Sequence, residues 1–492
     1  MYNYPRPYGS VYFEDSWAMR SNFTMNAGVR YEVDGQYGAL PTDKNNIAPR
    51  LSIAWDPMGD HKTVLRAGYG IFYSPIYGQI ADVVKTLGLV NGVRQIAQVF
   101  VPLTGAPGNP TLTSAAIFQT LFAQGKIQCP QATAPNVSCI TPADLTQFGI
   151  NITHTGPVPP LSVLFSAQPG YRNPYSQQGE LGIERQVGNS MSISLSGIYV
   201  HTIGLPVAVD INALPGAPLT SVPLANGATA TFRNWGALAC QGAGIVNCFA
   251  NPLLLQADQY SSLGSALYEG GILEIRKRFS DHLSLFGSYT LSKAFDTTTD
   301  FNSDFGPVDN TNLAAERSLS DFDQRHKVVA SAIIDTGNRG DTAFGRFSSG
   351  FQFAPIFRYN SGHPFNLLAG ADVNGDRHST NDRPIGAPRN TGQGPDFMSF
   401  DMRIARRFKM TEKANVQFVA EGFNLFNRLN YASVNNVVGP SFGLPTPLGG
   451  QAFGGSQNFN VHGSPQPFTN IPLAFTSAFP ARQLQLGLRI GF

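Results

Sequence analysis

Apolar and polar positions alternate with a period of two through much of this sequence. Over Arg482–Phe492, Leu484, Leu486, Leu488, Ile490 and Phe492 share one face, and Gln483, Gln485, Gly487, Arg489 and Gly491 the other. Met191, Ile193 and Leu195 alternate with Ser192, Ser194 and Ser196 in the same way. Phe23, Met25, Ala27, Val29 and Tyr31 alternate with Thr24, Asn26, Gly28, Arg30 and Glu32. Leu65, Ala67, Tyr69, Ile71 and Tyr73 are interleaved with Arg66, Gly68 and Gly70. Weaker versions run through 177–187, 268–279, 282–294, 325–336, 346–360, 397–408 and 414–426. Successive side chains of a strand point to opposite faces, so each segment is predicted to be a strand with one apolar and one polar side. Taken singly, such a strand fits a soluble sandwich as well as a wall between lipid and a wet lumen.

Connection lengths separate the two architectures. Counted back from the C-terminus, 427–481 is long and Lys409–Lys413 tight; 361–396 is long and 337–345 short to moderate. Residues 295–324 are long, Ser280-Asp281 is a two-residue turn, 203–267 is long, and Gly188-Asn189 is a turn of the type hairpins favour. Residues 75–176 are very long, Pro57–His61 is short, 33–45 is moderate, and the segment around Arg20–Ser21 is short. Outer-membrane barrels put short turns in the periplasm and long loops outside, whereas a sandwich has no reason to sort its loops. The prediction is an all-β, antiparallel transmembrane β-barrel of the outer-membrane type in the bacterial outer membrane. About thirteen strands are expected, from roughly 9–20 to 482–492, with external loops 75–176, 203–267, 295–324, 361–396 and 427–481. Single-chain bacterial barrels have even strand numbers, and an open edge has no place in lipid. An odd count therefore predicts a missed strand or partner strands in additional N-terminal sequence. Met1-Tyr-Asn-Tyr-Pro-Arg-Pro lacks a basic region followed by an apolar one, which predicts a longer precursor or a truncated gene.

Composition sharpens this picture. Charged residues are 13%, against about 25% in a typical soluble protein. No stretch approaches the roughly 18–20 apolar residues of a membrane-spanning helix. A net charge of +2 without a Lys/Arg-rich stripe argues against a nucleic-acid footprint. Cys129 and Cys139 lie in one loop-like stretch and Cys240 and Cys248 in another, predicting two small loop disulfides on the oxidising side. Their spacing does not suit zinc.

Several stretches resemble the TonB-dependent receptors, in particular the Oar-like members with a carboxypeptidase-regulatory-like domain. They are Asn46-Ile-Ala-Pro-Arg-Leu-Ser-Ile-Ala-Trp-Asp-Pro57 with Thr63-Val-Leu-Arg-Ala-Gly-Tyr-Gly-Ile-Phe-Tyr73, then Ser288-Tyr-Thr-Leu-Ser-Lys293 and Arg317-Ser-Leu-Ser-Asp-Phe-Asp-Gln-Arg-His326. Glu421-Gly-Phe-Asn-Leu-Phe-Asn427 and the terminal strand complete the set. The resemblance implies a barrel of roughly 22 strands around an N-terminal plug, of which residues 1–492 would be the C-terminal part with the plug domain absent. It implies ligand binding and uptake without covalent chemistry, powered by the TonB energy-transducing complex. Outer-membrane lipid and the barrel-assembly machinery are the other implied partners, the latter because the terminal strand looks like its aromatic-ended signal. A passive porin or adhesin-like barrel, or a non-functional truncated gene product, is the alternative.

Candidate chemistry is sparse. Asp372, Asn374, Asp376 and Asp382 place oxygens at near-alternate positions of one loop, as a calcium site would. The loop lacks the sixth-position glycine and distal glutamate of an EF-hand, and the same residue types build ordinary turns, so both readings stand. Asp321, Asp323, Arg325 and His326 are expected to form a solvated rim or loop-anchoring ion pairs. No nucleophile–base arrangement, phosphate loop or metal-spaced histidine motif is present, so no catalytic residue and no cofactor beyond a structural calcium is predicted. Arg30, Glu32, Arg66, Glu180, Glu184, Glu274, Arg276, Arg278, Asp401, Arg403, Arg407, Glu421 and Arg489 are assigned to the lumen face, because lipid-facing charge costs about 2–4 kcal/mol at the bilayer midplane. Tyr69, Tyr73, Phe279, Tyr289, Phe357, Tyr359 and Phe492 are assigned to the membrane-interface girdle. Ligand contacts are expected from the external loops, with no single residue picked out.

Overall fold

The computed structural model describes residues 6–36, 40–88, 98–99, 111–127, 140–150, 162–337, 340, 342–410, 415–445 and 472–491. The alternating segments form thirteen strands, each hydrogen-bonded to the next in one antiparallel wall. They are β1 (Tyr8–Arg20), β2 (Phe23–Asp34), β3 (Asn46–Trp55), β4 (Thr63–Tyr73), β5 (Tyr175–Val187), β6 (Met191–Asp210) and β7 (Gln256–Ser280). β8 (Leu283–Asp296), β9 (His326–Asp335), β10 (Phe351–Asn360), β11 (Phe397–Lys409), β12 (Asn415–Phe423) and β13 (Gln483–Gly491) follow. Among the described residues β1 pairs only with β2 and β13 only with β12, so the wall has two open edges.

Register brings the apolar sets together laterally. Leu484, Leu486, Leu488 and Ile490 stand opposite Gly422, Ala420, Phe418 and Val416. Phe23, Met25, Ala27 and Tyr31 stand opposite Trp55, Ile53, Leu51 and Ile47. A slip of one residue would turn every charge outward, so lipid on one side fixes the pairing. Many side chains of this apolar face are exposed in the protein itself: Leu486 is 85% and Leu484 71% accessible. The buried apolar core lies in the outer loops, around Ile76, Ile80, Val84, Tyr171 and Tyr260.

The short turns have local causes. Asp56 accepts the amides of Met58 (3.2 Å), Gly59 (2.9 Å) and His61 (2.8 Å) and closes the β3–β4 connection. Gly188 adopts φ +62° between β5 and β6. The β7–β8 turn is Asp281-His282, one residue later than expected, with φ 50° and 62°, the twist-matched geometry of tight hairpins.

Two expected boundaries move. β6 and β7 run well into the predicted loop 203–267, which leaves 211–255 as the loop. Alternation stops near residue 203 because Val207, Ala208, Asp210, Asp258 and Tyr260 are buried, so both strand faces are covered by protein. The strand expected to start at 346 starts at Phe351, because Thr342 caps a short helix, Ala343–Ser348, by accepting the Gly345 amide at 3.0 Å.

Candidate functional site

Described parts of the long loops lock together above the wall. The extended ends of β6 and β7 carry Asp210 and Asp258 into the loops, where both are buried against His378. His378 Nε2 lies 3.2 Å from Asp210 and 3.9 Å from Asp258. Burial opposes charge on the imidazole, but the Asp210 hydrogen bond and the Asp258 and Asp376 charges outweigh it and hold its pKa well above the ordinary value. Arg383 grips Glu316 with two 2.8 Å bonds, and Arg389 pairs with Asp296 at 2.5 Å. Residues far apart in sequence thus tie the segments near 210, 258, 296, 316 and 380 into one polar core. No spacing within the sequence marks these partners.

Asp372, Asn374, Asp376 and Asp382 converge within this core. Oxygens of Asp372, Asp376 and Asp382 lie within 4.8 Å of one another. Asp376 and Asp382 are fully buried, Asn374 is nearly so, and Asp372 is exposed. Burial raises the carboxyl pKa values of Asp376 and Asp382, helped by the Asp372 charge at Asp376 and by the Asp376 and Asp372 charges at Asp382. The loop is seated by its neighbours: the Asn374 carbonyl accepts the Trp235 amide (2.7 Å), and Asn374 Nδ2 donates to the Val308 carbonyl (2.9 Å). A Cβ on Gly375 would lie 2.3 Å from the Gly236 nitrogen, so only glycine permits this approach. Arg377, at the position where an EF-hand has glycine, adopts φ +76°. Its guanidinium donates to the Pro252 and Leu254 carbonyls and lies 3.8 Å from the centre of the Phe249 ring. Tertiary anchoring therefore holds a conformation that arginine rarely adopts alone.

Cys240 and Cys248 form a disulfide (Cα–Cα 6.2 Å) packed with Trp235 and Phe249 beside this loop. Cys129 and Cys139 lie outside the described residues. The expected rim of Asp321, Asp323, Arg325 and His326 is corrected in part. Asp323 is buried and anchors the loop by accepting the Ala294 amide at 2.7 Å, while His326 Nδ1 meets the Tyr289 hydroxyl at 2.9 Å. A backbone amide supplies the anchor where ion pairs were expected.

Within the wall, lumen-face charges meet in pairs. Arg66–Glu184 (2.9 Å) and Arg403–Glu421 (3.7 Å) cross adjacent strands, and Glu274–Arg276 (2.6 Å) lies along one. A cleft of about 750 Å³ opens on this face over β1–β6, lined by Glu14, Arg30, Arg50, Gln178 and Glu180 beside Gly28, Gly68 and Gly70. The glycines keep the wall low there, and both signs of charge line it. Such a surface can hold polar groups of a ligand or of a folded segment; it contains no arrangement for covalent catalysis.

An apolar outer face, a polar inner face and loops sorted by length define an outer-membrane β-barrel wall. A family model described as outer membrane beta barrel domain matches residues 34–387 and 385–457. The chain belongs to this family, and the bacterial outer membrane is its location. Similar solved structures include the outer membrane transporter YddB from Escherichia coli, 10% identical over 98% of this chain and 45% of that one (TM-score 0.49). The ferric enterobactin receptor PfeA from Pseudomonas aeruginosa is 11% identical over 98% and 44% (TM-score 0.48). The siderophore receptor PirA from Acinetobacter baumannii is 12% identical over 98% and 45% (TM-score 0.47). The chain thus spans less than half the length of these structures. No curated protein matches the sequence.

Proposed function

We propose that this chain is the C-terminal part of a TonB-dependent receptor barrel of roughly 22 strands, which captures a ligand with its outer loops and imports it without covalent chemistry. The two open edges carry this reading. Among the described residues β1 and β13 each present an unpaired row of backbone amides and carbonyls, which hydrocarbon does not tolerate, and further strands would satisfy them by closing the wall. Closure at a larger circumference gives a lumen wide enough for a plug, and the paired charges and glycine-lined cleft form a surface against which one could seat. The locked outer loops supply an ordered capture surface.

The test is to raise an antibody against the 211–255 loop, isolate the native species from outer membranes and cross-link it in cells. The expected species is far heavier than 53.0 kDa and cross-links to the TonB protein. A closed 53.0 kDa species without that cross-link would overturn the proposal. A steady open-pore conductance of the native species in planar bilayers would instead favour the passive porin.

A further inference from the structure

The geometry points to a divalent-cation site of the calcium class formed by Asp372, Asn374, Asp376 and Asp382, whose occupation clamps three outer loops together. The inference concerns the loops alone and stands whether import is active or passive.

The oxygen positions come first. A calcium shell with metal–oxygen distances of about 2.3–2.6 Å is about 4.6–5.2 Å across, and the three carboxylates bring oxygens within 4.8 Å of one another. The donors are all oxygen, which suits a hard cation and not zinc or copper.

The second observation is independent of that clustering. Asp382 is fully buried; its Oδ2 accepts the Val373 amide at 2.7 Å, while Oδ1 has no hydrogen-bond partner among the described residues. A buried carboxylate oxygen without a hydrogen bond, on a side chain clustered with two other carboxylates, is costly unless a cation meets it. The basic side chains next to these carboxylates in sequence are engaged elsewhere: Arg377 donates to the Pro252 and Leu254 carbonyls, His378 Nε2 meets Asp210, and Arg383 pairs with Glu316. The His378 imidazole nitrogen lies 3.2 Å from Asp210 and 3.9 Å from Asp258, in the neighbouring carboxylate pair. Exposed Asp372 provides the way in.

The consequence follows from the seating of the loop. Asn374 is bonded to Trp235 in one loop and to Val308 in another. Neutralising the carboxylates therefore stabilises contacts among all three loops.

The experiment uses the full-length protein, extracted in detergent, stripped with EDTA and titrated with CaCl2, with trypsin cleavage in the outer loops as readout. Calcium is expected to slow cleavage of the wild type at least tenfold, and Asp382→Asn is expected to abolish that protection. Heat-dependent gel mobility checks that each variant barrel is assembled. If Asp382→Asn fails to assemble, Asp372→Asn, altered only at the exposed rim, is expected to weaken calcium binding at least tenfold. Protection that is absent in the wild type, or equal in an assembled variant, would overturn the site. Equal protection by MgCl2 would overturn its assignment to the calcium class.

Discussion

Ion pairs of similar length differ sharply in this molecule according to where they sit. Arg383–Glu316 is closed by two 2.8 Å bonds between side chains only 10% and 5% accessible, whereas Arg66–Glu184 at 2.9 Å has side chains 60% and 42% accessible. Removing one partner of a buried pair strands the other and costs about 3–5 kcal/mol; an exposed pair contributes about 0–1 kcal/mol. Arg383→Ala is therefore expected to raise the trypsin sensitivity of the outer loops roughly a hundredfold or more, by local opening. Arg66→Ala should leave it unchanged. Equal sensitivity in the two variants would remove Arg383 from its clamping role. Asp56 offers a pH test on the opposite side of the membrane. Burial works against its ionisation, but the amides of His61, Gly59 and Met58 prevail and hold its carboxyl below the usual carboxylate range. A folded pKa below the unfolded one stabilises the turn fully above about pH 4, and this contribution is lost as pH falls through the folded value. The stability gap between wild type and Asp56→Ala, read as a urea midpoint, is accordingly expected to shrink from pH 7 to pH 2.5.

Elements were legible in the sequence wherever lipid and lumen impose opposite demands on the two faces. β13 and β2 alternate cleanly for that reason, and the count of about thirteen strands holds. Beyond the membrane both faces meet protein, so the outer halves of β6 and β7 carry no period and read as loop. The Asp372–Asp382 cluster was visible because its members lie close in sequence. The Asp210–His378 contact, 168 residues apart, was not. The helix Ala343–Ser348 was also missed, being too short to show a helical period. It lies in a short-turn connection with Phe344 and Phe347 exposed, and Arg406 sits 5.7 Å from the centre of the Phe347 ring and 4.6 Å from that of Phe351. Aromatic rings beside an arginine at the end of a barrel strand suit the membrane interface. Tryptophan placed by Phe347→Trp is expected to be quenched by brominated lipid in reconstituted vesicles. Tryptophan placed by Leu238→Trp, in an outer loop, should not be. Quenching of neither would put the helix in water.

At the scale of the whole molecule, one orientation joins the loop asymmetry, the disulfide and the proposed cation site. The Cys240–Cys248 bridge and the Asp372–Asp382 loop both lie on the long-loop side, where oxidation and millimolar calcium are available outside the cell. The Asp56 and Gly188 turns lie on the other side. A peptide tag therefore separates the two sides without knowledge of the ligand. Gly227, at φ +82° between the strands Leu219–Pro223 and Thr229–Arg233, and Gly188, at φ +62°, both leave open space around an added Cβ, so both tolerate insertion. Intact cells expressing the full-length protein are expected to bind antibody to a tag at Gly227 and not to one at Gly188, which becomes accessible only after the outer membrane is permeabilised. The reverse pattern would invert the barrel and place the acidic cluster in the periplasm. It would also leave the terminal strand, whose Gly491 end pairs with Asn415 beside a short turn, at the cell surface. That arrangement contradicts the rule that short turns face the periplasm, so the tag at Gly188 is the decisive half of the experiment.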